Sequence, residues 1–133
     1  MNKKNFKTSE IKKIHEAAKS IKKKKPFTLC FEFCDETNIP HSKNDVKIVI
    51  EALKSFSNIQ VFENQRNPHK LNISGESEYI KRLYKEHKQD IYSIDAGKRN
   101  APQGDKRIIF YKDEIRENVA KILSLFCDDH SKK

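Results

Sequence analysis

The chain has 133 residues, which is enough for one domain with a real core. Apolar residues and charged residues each make up 35% of it, so we expect a thin core under a heavily charged surface. No run of about 18 apolar residues occurs, which argues against a membrane-spanning helix. Three cysteines are too few for a disulfide framework, and an intracellular, cytoplasmic setting is expected.

Positive charge is unevenly placed along the chain, whose net charge is +9. Residues 1–25 carry ten lysines against two glutamates, a net charge of +8. Residues 26–64 have a net charge of −3, and residues 65–133 a net charge of +4. Such basic excess attracts polyanions, nucleic acid before any other.

The first predicted element is a helix that begins after a cap at Thr8 or Ser9, behind a tail over 1–7. Its apolar positions recur at helical spacing, and Pro26 follows its last lysine. The next segment, 27–34, fits two structures. Alternating aromatics favour a strand, whereas a cap at Thr28 would allow a helix.

The clearest helix is predicted over 42–56. Ser42 is a good N-cap and Asp45 lies three residues further on. An apolar stripe should face the core, made of Val46, Val49, Ile50, Leu53 and Phe56.

Two short strands, over 59–63 and 71–74, are predicted around a turn at Asn67-Pro68. A helix over 77–91 and a loop over 95–107 should follow. A short strand is then predicted over 107–111. The final helix, over 113–126, rests on the spacing of Ile115, Val119, Ile122 and Phe126, and 127–133 is a polar tail.

The order of helix, turn, helix and hairpin over residues 11–75 resembles a winged helix-turn-helix DNA-binding domain. The resemblance implies an α+β fold with a small winged-helix core, extended over 76–126 by a helix, a loop, a strand and a helix. The helix over 42–56 would be the recognition helix, and 66–70 would form the tip of the wing.

That resemblance also implies which residues contact DNA. The start of the recognition helix would face the major groove, where Asn pairs with adenine and Lys with guanine. The wing tip would reach phosphates or the minor groove, and basic residues of the 95–107 loop could add phosphate contacts. The expected DNA-binding residues are Ser42, Lys43, Asn44, Lys47, Arg66, His69, Lys70, Lys98 and Arg99.

A second arrangement fits the same elements. If 27–33 is a full strand, the order resembles a ferredoxin-like βαββαβ fold with a helix at each end. Such a domain would be a non-catalytic adaptor that binds protein or RNA.

No motif selects a catalytic site, a metal site or a cofactor. Cys30 and Cys34 lack the paired spacing of a zinc site, and Ala96-Gly97-Lys98-Arg99 is not a phosphate-binding P-loop. We therefore expect no enzymatic activity, with a nuclease as the remote exception.

The expected function is duplex-DNA binding by a transcriptional regulator or by an accessory factor of replication or of a mobile element, with RNA as a further ligand. The stripe over 113–126 could also pack against a second copy and make a homodimer. No membrane partner is expected.

Overall fold

A computed structural model describes residues 25–97, 106–116 and 118–128. Within them the chain is α+β, as predicted, with helices on both sides of one mixed sheet. The helices are α1 (Lys43–Lys54), α2 (Ile59–Gln65) and α3 (Glu78–His87). The strands are β1 (Thr28–Cys30), β2 (His69–Lys70), β3 (Tyr92–Asp95), β4 (Arg107–Lys112) and β5 (Val119–Cys127).

The five strands lie in the order β1-β5-β4-β3-β2. β1 runs parallel to β5, while the other neighbouring pairs are antiparallel. Strands from the first and second halves of the chain therefore share one sheet. A ferredoxin-like βαββαβ order does not describe this sheet, because the predicted strand over 59–63 is a helix.

Each face of the sheet carries its own core. On one face α1 and α2 cover alternate residues of the central strands, including Ile94, Ile108, Phe110 and Ile122. On the other face α3 covers Ile109, Tyr111, Leu123 and Cys127. A strand buried on both sides loses the apolar–polar alternation of a half-exposed strand.

The helix predicted over 42–56 is confirmed as α1 followed by a short 3-10 turn at Ser55–Ser57. The Ser42 hydroxyl accepts a hydrogen bond from the Asp45 amide at 3.0 Å, as expected of an N-cap. The buried side differs from the predicted stripe. Val49 and Phe56 are buried, but Val46 and Ile50 are 38% and 49% exposed.

The predicted wing does not form from the expected strands. Residues Ile59–Gln65 are helical because the Asn58 side chain caps them, accepting from the Val61 amide at 3.4 Å. The predicted strand over 71–74 is replaced by a buried Leu71 and a 3-10 turn at Ile73–Gly75. Asn67-Pro68 links α2 to the two-residue strand β2.

The predicted helix over 113–126 is wrong, because this segment is a turn followed by β5. Two shifts in the register between β4 and β5 interrupt the alternation along the strand. Ile122 is fully buried inside the chain and Ile115 is 89% exposed in the turn. Most of the apolar stripe proposed for a helical homodimer therefore lies in β5 and belongs to the sheet.

Two further predicted elements, the helix over 77–91 and the strand over 107–111, are confirmed. α3 lies within the predicted 77–91 but ends at His87, where Lys88 adopts a left-handed conformation with φ 56°. The strand over 107–111 is β4. The ambiguous 27–34 segment contains the strand β1, and β3 occupies residues for which no strand was expected. The predicted helix before Pro26 lies outside the described residues except for Lys25.

A polar contact ties the segment after β1 to α3. The Tyr79 hydroxyl donates to Asp35 Oδ2 at 2.7 Å, and the Thr37 amide and hydroxyl donate to Asp35 Oδ1 at 2.8 and 2.6 Å. The Asp35 amide in turn donates to the Leu123 carbonyl of β5. The hydrogen bonds from Thr37, and secondarily that from Tyr79, hold the pKa of Asp35 below its usual value.

We expect replacement of Phe56 by Ala to destabilise the fold by about 3–5 kcal/mol, because this ring is fully buried among other phenylalanines. Urea denaturation measures the free energy of unfolding. The matched control is Phe31→Ala, since Phe31 is 47% exposed and its loss should cost less than about 0.5 kcal/mol. Equal losses in both variants would contradict this packing.

We expect Asp35→Asn to be destabilising at neutral pH, with an effect that fades in acid. The folded-state pKa of Asp35 is lowered, so its stabilisation is present above the unfolded-state value of about 3.9 and lost as the pH falls through the folded-state value. Thermal unfolding from pH 7 to pH 2 measures the difference. Glu36→Gln, at an exposed neighbouring carboxylate, is the control. If the difference in melting temperature between the wild type and Asp35→Asn does not become smaller in acid, this role of Asp35 is refuted.

Candidate nucleic-acid interface

The expected recognition helix presents its polar side to solvent. Ser42, Lys43, Asn44 and Lys47 are all exposed, and they lie in or just before the first two turns of α1. The amide groups that begin a helix carry partial positive charge, which favours a phosphate there. This end of α1 therefore combines two lysines, one amide side chain and a favourable helix dipole, partly offset by the carboxylate of Asp45 in the first turn.

Arg66 lies beside the exposed side of α1, although the winged-helix resemblance predicted that it would lie at the tip of a separate wing. A cavity of about 390 Å³ is lined by Asn44, Lys47 and Arg66 together with Ile48, Glu51, Ala96 and Gly97. The fold thus joins the second turn of α1, the end of α2 and the end of β3. Three of the predicted DNA-binding residues meet at one surface cavity.

Arg66 is held in this position by backbone contacts. It caps α2, its Nη1 donates to the Ala96 carbonyl at 3.0 Å, and its own carbonyl accepts from the Asp95 amide at 2.7 Å. The residue is only 9% exposed, and within the described parts of the chain its Nε meets no acceptor. Burial lowers the pKa of Arg66, whereas the charges of Glu51 and Asp95 raise it. Arg66 therefore supports the wall of the cavity more than it reaches outward.

Glu51 is the acidic residue of the same cavity. Its Oε1 lies 3.5 Å from Lys54 Nζ, one turn further along α1, and both side chains are well exposed. This pair places a cation next to the carboxylate and offsets part of its repulsion of an approaching phosphate.

Two of the other predicted contacts, His69 and Lys70, do not line this cavity. They are exposed on the edge strand β2. His69 Nδ1 lies 2.8 Å from the Asn67 carbonyl, and Lys70 Nζ lies 3.9 Å from Asp90. Lys98 and Arg99 lie outside the described residues, directly after Gly97 in the chain.

Sequence reasoning missed a second group of residues on the opposite face of the sheet. The His87 ring packs between those of Phe33 and Tyr111, at 5.3 and 5.4 Å between centroids. Lys121 Nζ lies 5.7 Å from the Phe33 centroid and 3.6 Å from Glu32 Oε1. These contacts pair the charge of Lys121 and pack the three rings at tilted angles, so they hold the segment after β1 against α3 and β5. No sequence signal linked such distant residues.

The cysteines show no reactive arrangement. Cys30 and Cys34 are half-buried thiols, and Cys127 is buried at the end of β5. Burial, followed by the charges of Asp35 and Glu36, raises the pKa of Cys34 and disfavours its thiolate. Within 25–97, 106–116 and 118–128, no group of three or more His, Cys, Asp or Glu residues is placed to hold a metal ion.

Comparison with known proteins adds no identification. The chain matches no family model, no curated protein and no solved structure. In the part of the chain that the structure describes, no helix is both long enough and apolar enough to cross a membrane. A function must therefore be inferred from the residues themselves.

Proposed function

We propose that this protein binds duplex DNA through the amino-terminal half of α1 and the adjoining Arg66 cavity. The observation that carries the proposal is the convergence of Asn44 and Lys47 with Arg66, which is 19 residues further along the chain than Lys47. Asn44 and Lys47 are exposed and suit a base edge and a phosphate, while the buried Arg66 holds the wall of the cavity beside them.

The shape of this surface supports the major groove as the docking site. α1 has 12 residues, and its exposed side begins with Lys43, Asn44 and Lys47. A single exposed helix of this kind fits the major groove, with its first turns directed at the bases or phosphates. Val49, Ala52 and Phe56 anchor the opposite side in the core, which fixes the angle at which the helix is presented.

The proposal keeps only one element of the winged-helix resemblance, the recognition helix. The expected wing strands are absent from 59–63 and 71–74, so His69 and Lys70 are proposed as auxiliary phosphate contacts from the edge of the sheet. The basic amino-terminal segment, residues 1–25, has a net charge of +8 and would attract any polyanion. Such binding would suit a regulator or an accessory factor of replication or of a mobile element.

We expect Lys47→Ala to weaken binding to duplex DNA and to reduce the slope of log K against log salt by about 1, because one phosphate contact is lost. Gel-shift titrations at several salt concentrations from about 50 to 200 mM give both quantities. The matched control is Lys85→Ala, since Lys85 is an exposed lysine of α3 on the other side of the sheet.

Three results would reject the proposal. The first is no binding of any duplex at about 50 mM salt, where electrostatic binding is strong. The second is an equal loss from Lys47→Ala and Lys85→Ala, which would mean that only net charge matters. Single-stranded DNA and RNA are titrated beside the duplex. Tighter binding of either one through Lys47 would retain the surface and reject duplex DNA as its ligand.

We expect Asn44→Ala to act differently from the lysine variant. If Asn44 reads an adenine, its loss should reduce the preference for the bound sequence by about 1–3 kcal/mol and leave the salt slope unchanged. Competition between a selected duplex and a random duplex measures the preference. The companion variant Asn44→Gln keeps the amide and should preserve part of the effect. An unchanged preference in Asn44→Ala would remove Asn44 from base recognition.

A further inference from the structure

A second cavity lies at the opposite end of β3 from the Arg66 cavity. It has a volume of about 240 Å³ and sits between α2, the start of β3, the end of β4 and the residues before β1. We call it the aromatic groove. The residues that matter for its chemistry are Lys25, Phe27, Ile59, His69, Tyr92 and Lys112.

The floor of the aromatic groove is a set of packed rings. Phe27 packs against Phe62 at 5.5 Å between centroids, and Tyr92 stacks on Phe110 at 5.7 Å with 25° between their planes. Phe62 and Phe110 are 5% and 1% exposed, whereas Phe27 and Tyr92 are only half-buried. Two partly accessible rings are thus held in place by two buried ones.

The rim of the groove carries two lysines against one glutamate, with a histidine beside them. Lys25, His69 and Lys112 are exposed there, with Glu63 as the acidic member. Lys112 Nζ lies 4.4 Å from the centroid of the Tyr92 ring, close enough for a cation–π contact. An anion bound at the rim would draw the Lys112 ammonium group away from the Tyr92 ring. That face of the ring would then be accessible to a planar group.

We propose that the aromatic groove binds an unpaired nucleotide, with its base against Tyr92 and Phe27 and its phosphate on Lys112 and Lys25. The volume lies below the range of about 300–1,000 Å³ typical of drug-sized ligands, which suits a single flat ring system. Aromatic floors beside cationic rims are the usual means of holding unpaired bases. A base and a phosphate match the two halves of this groove.

This inference goes beyond duplex binding and does not depend on it. Asn44 and Lys47 do not line the aromatic groove, and Tyr92 and Lys112 do not line the Arg66 cavity. A duplex keeps its bases stacked and paired, so the nucleotide in the groove must come from a single-stranded segment or from a free nucleotide.

Tyrosine signals provide the readout, because the chain has four tyrosines and no tryptophan. The protein, with its tyrosine rings isotopically labelled, is titrated with adenosine monophosphate, with adenosine, with inorganic phosphate and with a short single-stranded oligonucleotide while the ring resonances are followed by NMR. We expect the monophosphate to shift the Tyr92 resonances and to bind more tightly than adenosine. Tighter binding of the oligonucleotide would identify a strand as the source, and tighter binding of the monophosphate would identify a free nucleotide.

The variants separate the two halves of the groove. Tyr92→Ala should weaken the monophosphate about tenfold, whereas Tyr92→Phe keeps the stacking ring and should retain affinity. Lys112→Ala should remove the advantage of the monophosphate over adenosine, and Lys112→Arg should restore it. These last three variants keep the test decisive if Tyr92→Ala does not fold. Binding in them is followed by the shifts of the adenine protons of the ligand, which need no Tyr92 signal.

Three results would overturn the inference. One is the absence of any Tyr92 shift with the monophosphate and with the oligonucleotide. Another is an identical shift with inorganic phosphate alone, which would leave only an anion-binding rim. The third is an unchanged monophosphate affinity in Lys112→Ala. Lys85→Ala serves as the control and should leave nucleotide binding intact, because Lys85 is an exposed lysine of α3 that lines neither cavity. The Tyr92 resonances report on a groove that neither Asn44 nor Lys47 lines, so failure of duplex binding in the gel shift does not mimic failure here.

Discussion

The packing of four phenylalanine rings holds the two halves of this protein together. Phe27 precedes β1, Phe56 ends the α1 region, Phe62 belongs to α2 and Phe110 to β4, and their centroids lie 5.0–6.3 Å apart. Edge-on and tilted contacts of this kind add to the free energy of burying apolar area. Because α1 and α2 depend on this cluster, so do both cavities beside them.

The cluster determines which side of each helix meets solvent. Once Phe56 and Phe62 are buried, the lysines of α1 must face outward, and Arg66 is carried to the end of α2 beside Lys47. The same packing exposes one edge of Phe27 and Tyr92 in the aromatic groove. Both proposed nucleic-acid surfaces are therefore consequences of how one face of the sheet is covered.

Helices with an N-cap residue and a regular apolar spacing could be predicted from the sequence. Ser42 and Ser77 cap α1 and α3, and each helix has an apolar side at the proper spacing. β5 could not be recognised, because burial on both faces and two register shifts make Ile122 and Leu123 resemble part of a helix. α2 was predicted as a strand because its first residues are β-prone, and the N-cap at Asn58 was not recognised. Of the candidate site, exposure of the α1 lysines was predictable, but the meeting of Lys47 with Arg66 depends on tertiary packing.

The outer strands of the sheet have a consequence for solubility at high concentration. β1 has three residues and β2 only two, and Lys70 adds a charge to the second edge. An outer strand with unpaired backbone groups can template the addition of another chain, and short or charged strands oppose such growth. Within the residues that the structure describes, the two edges of the sheet therefore offer little backbone on which a cross-β fibril could start, even though the long central strands are rich in apolar residues.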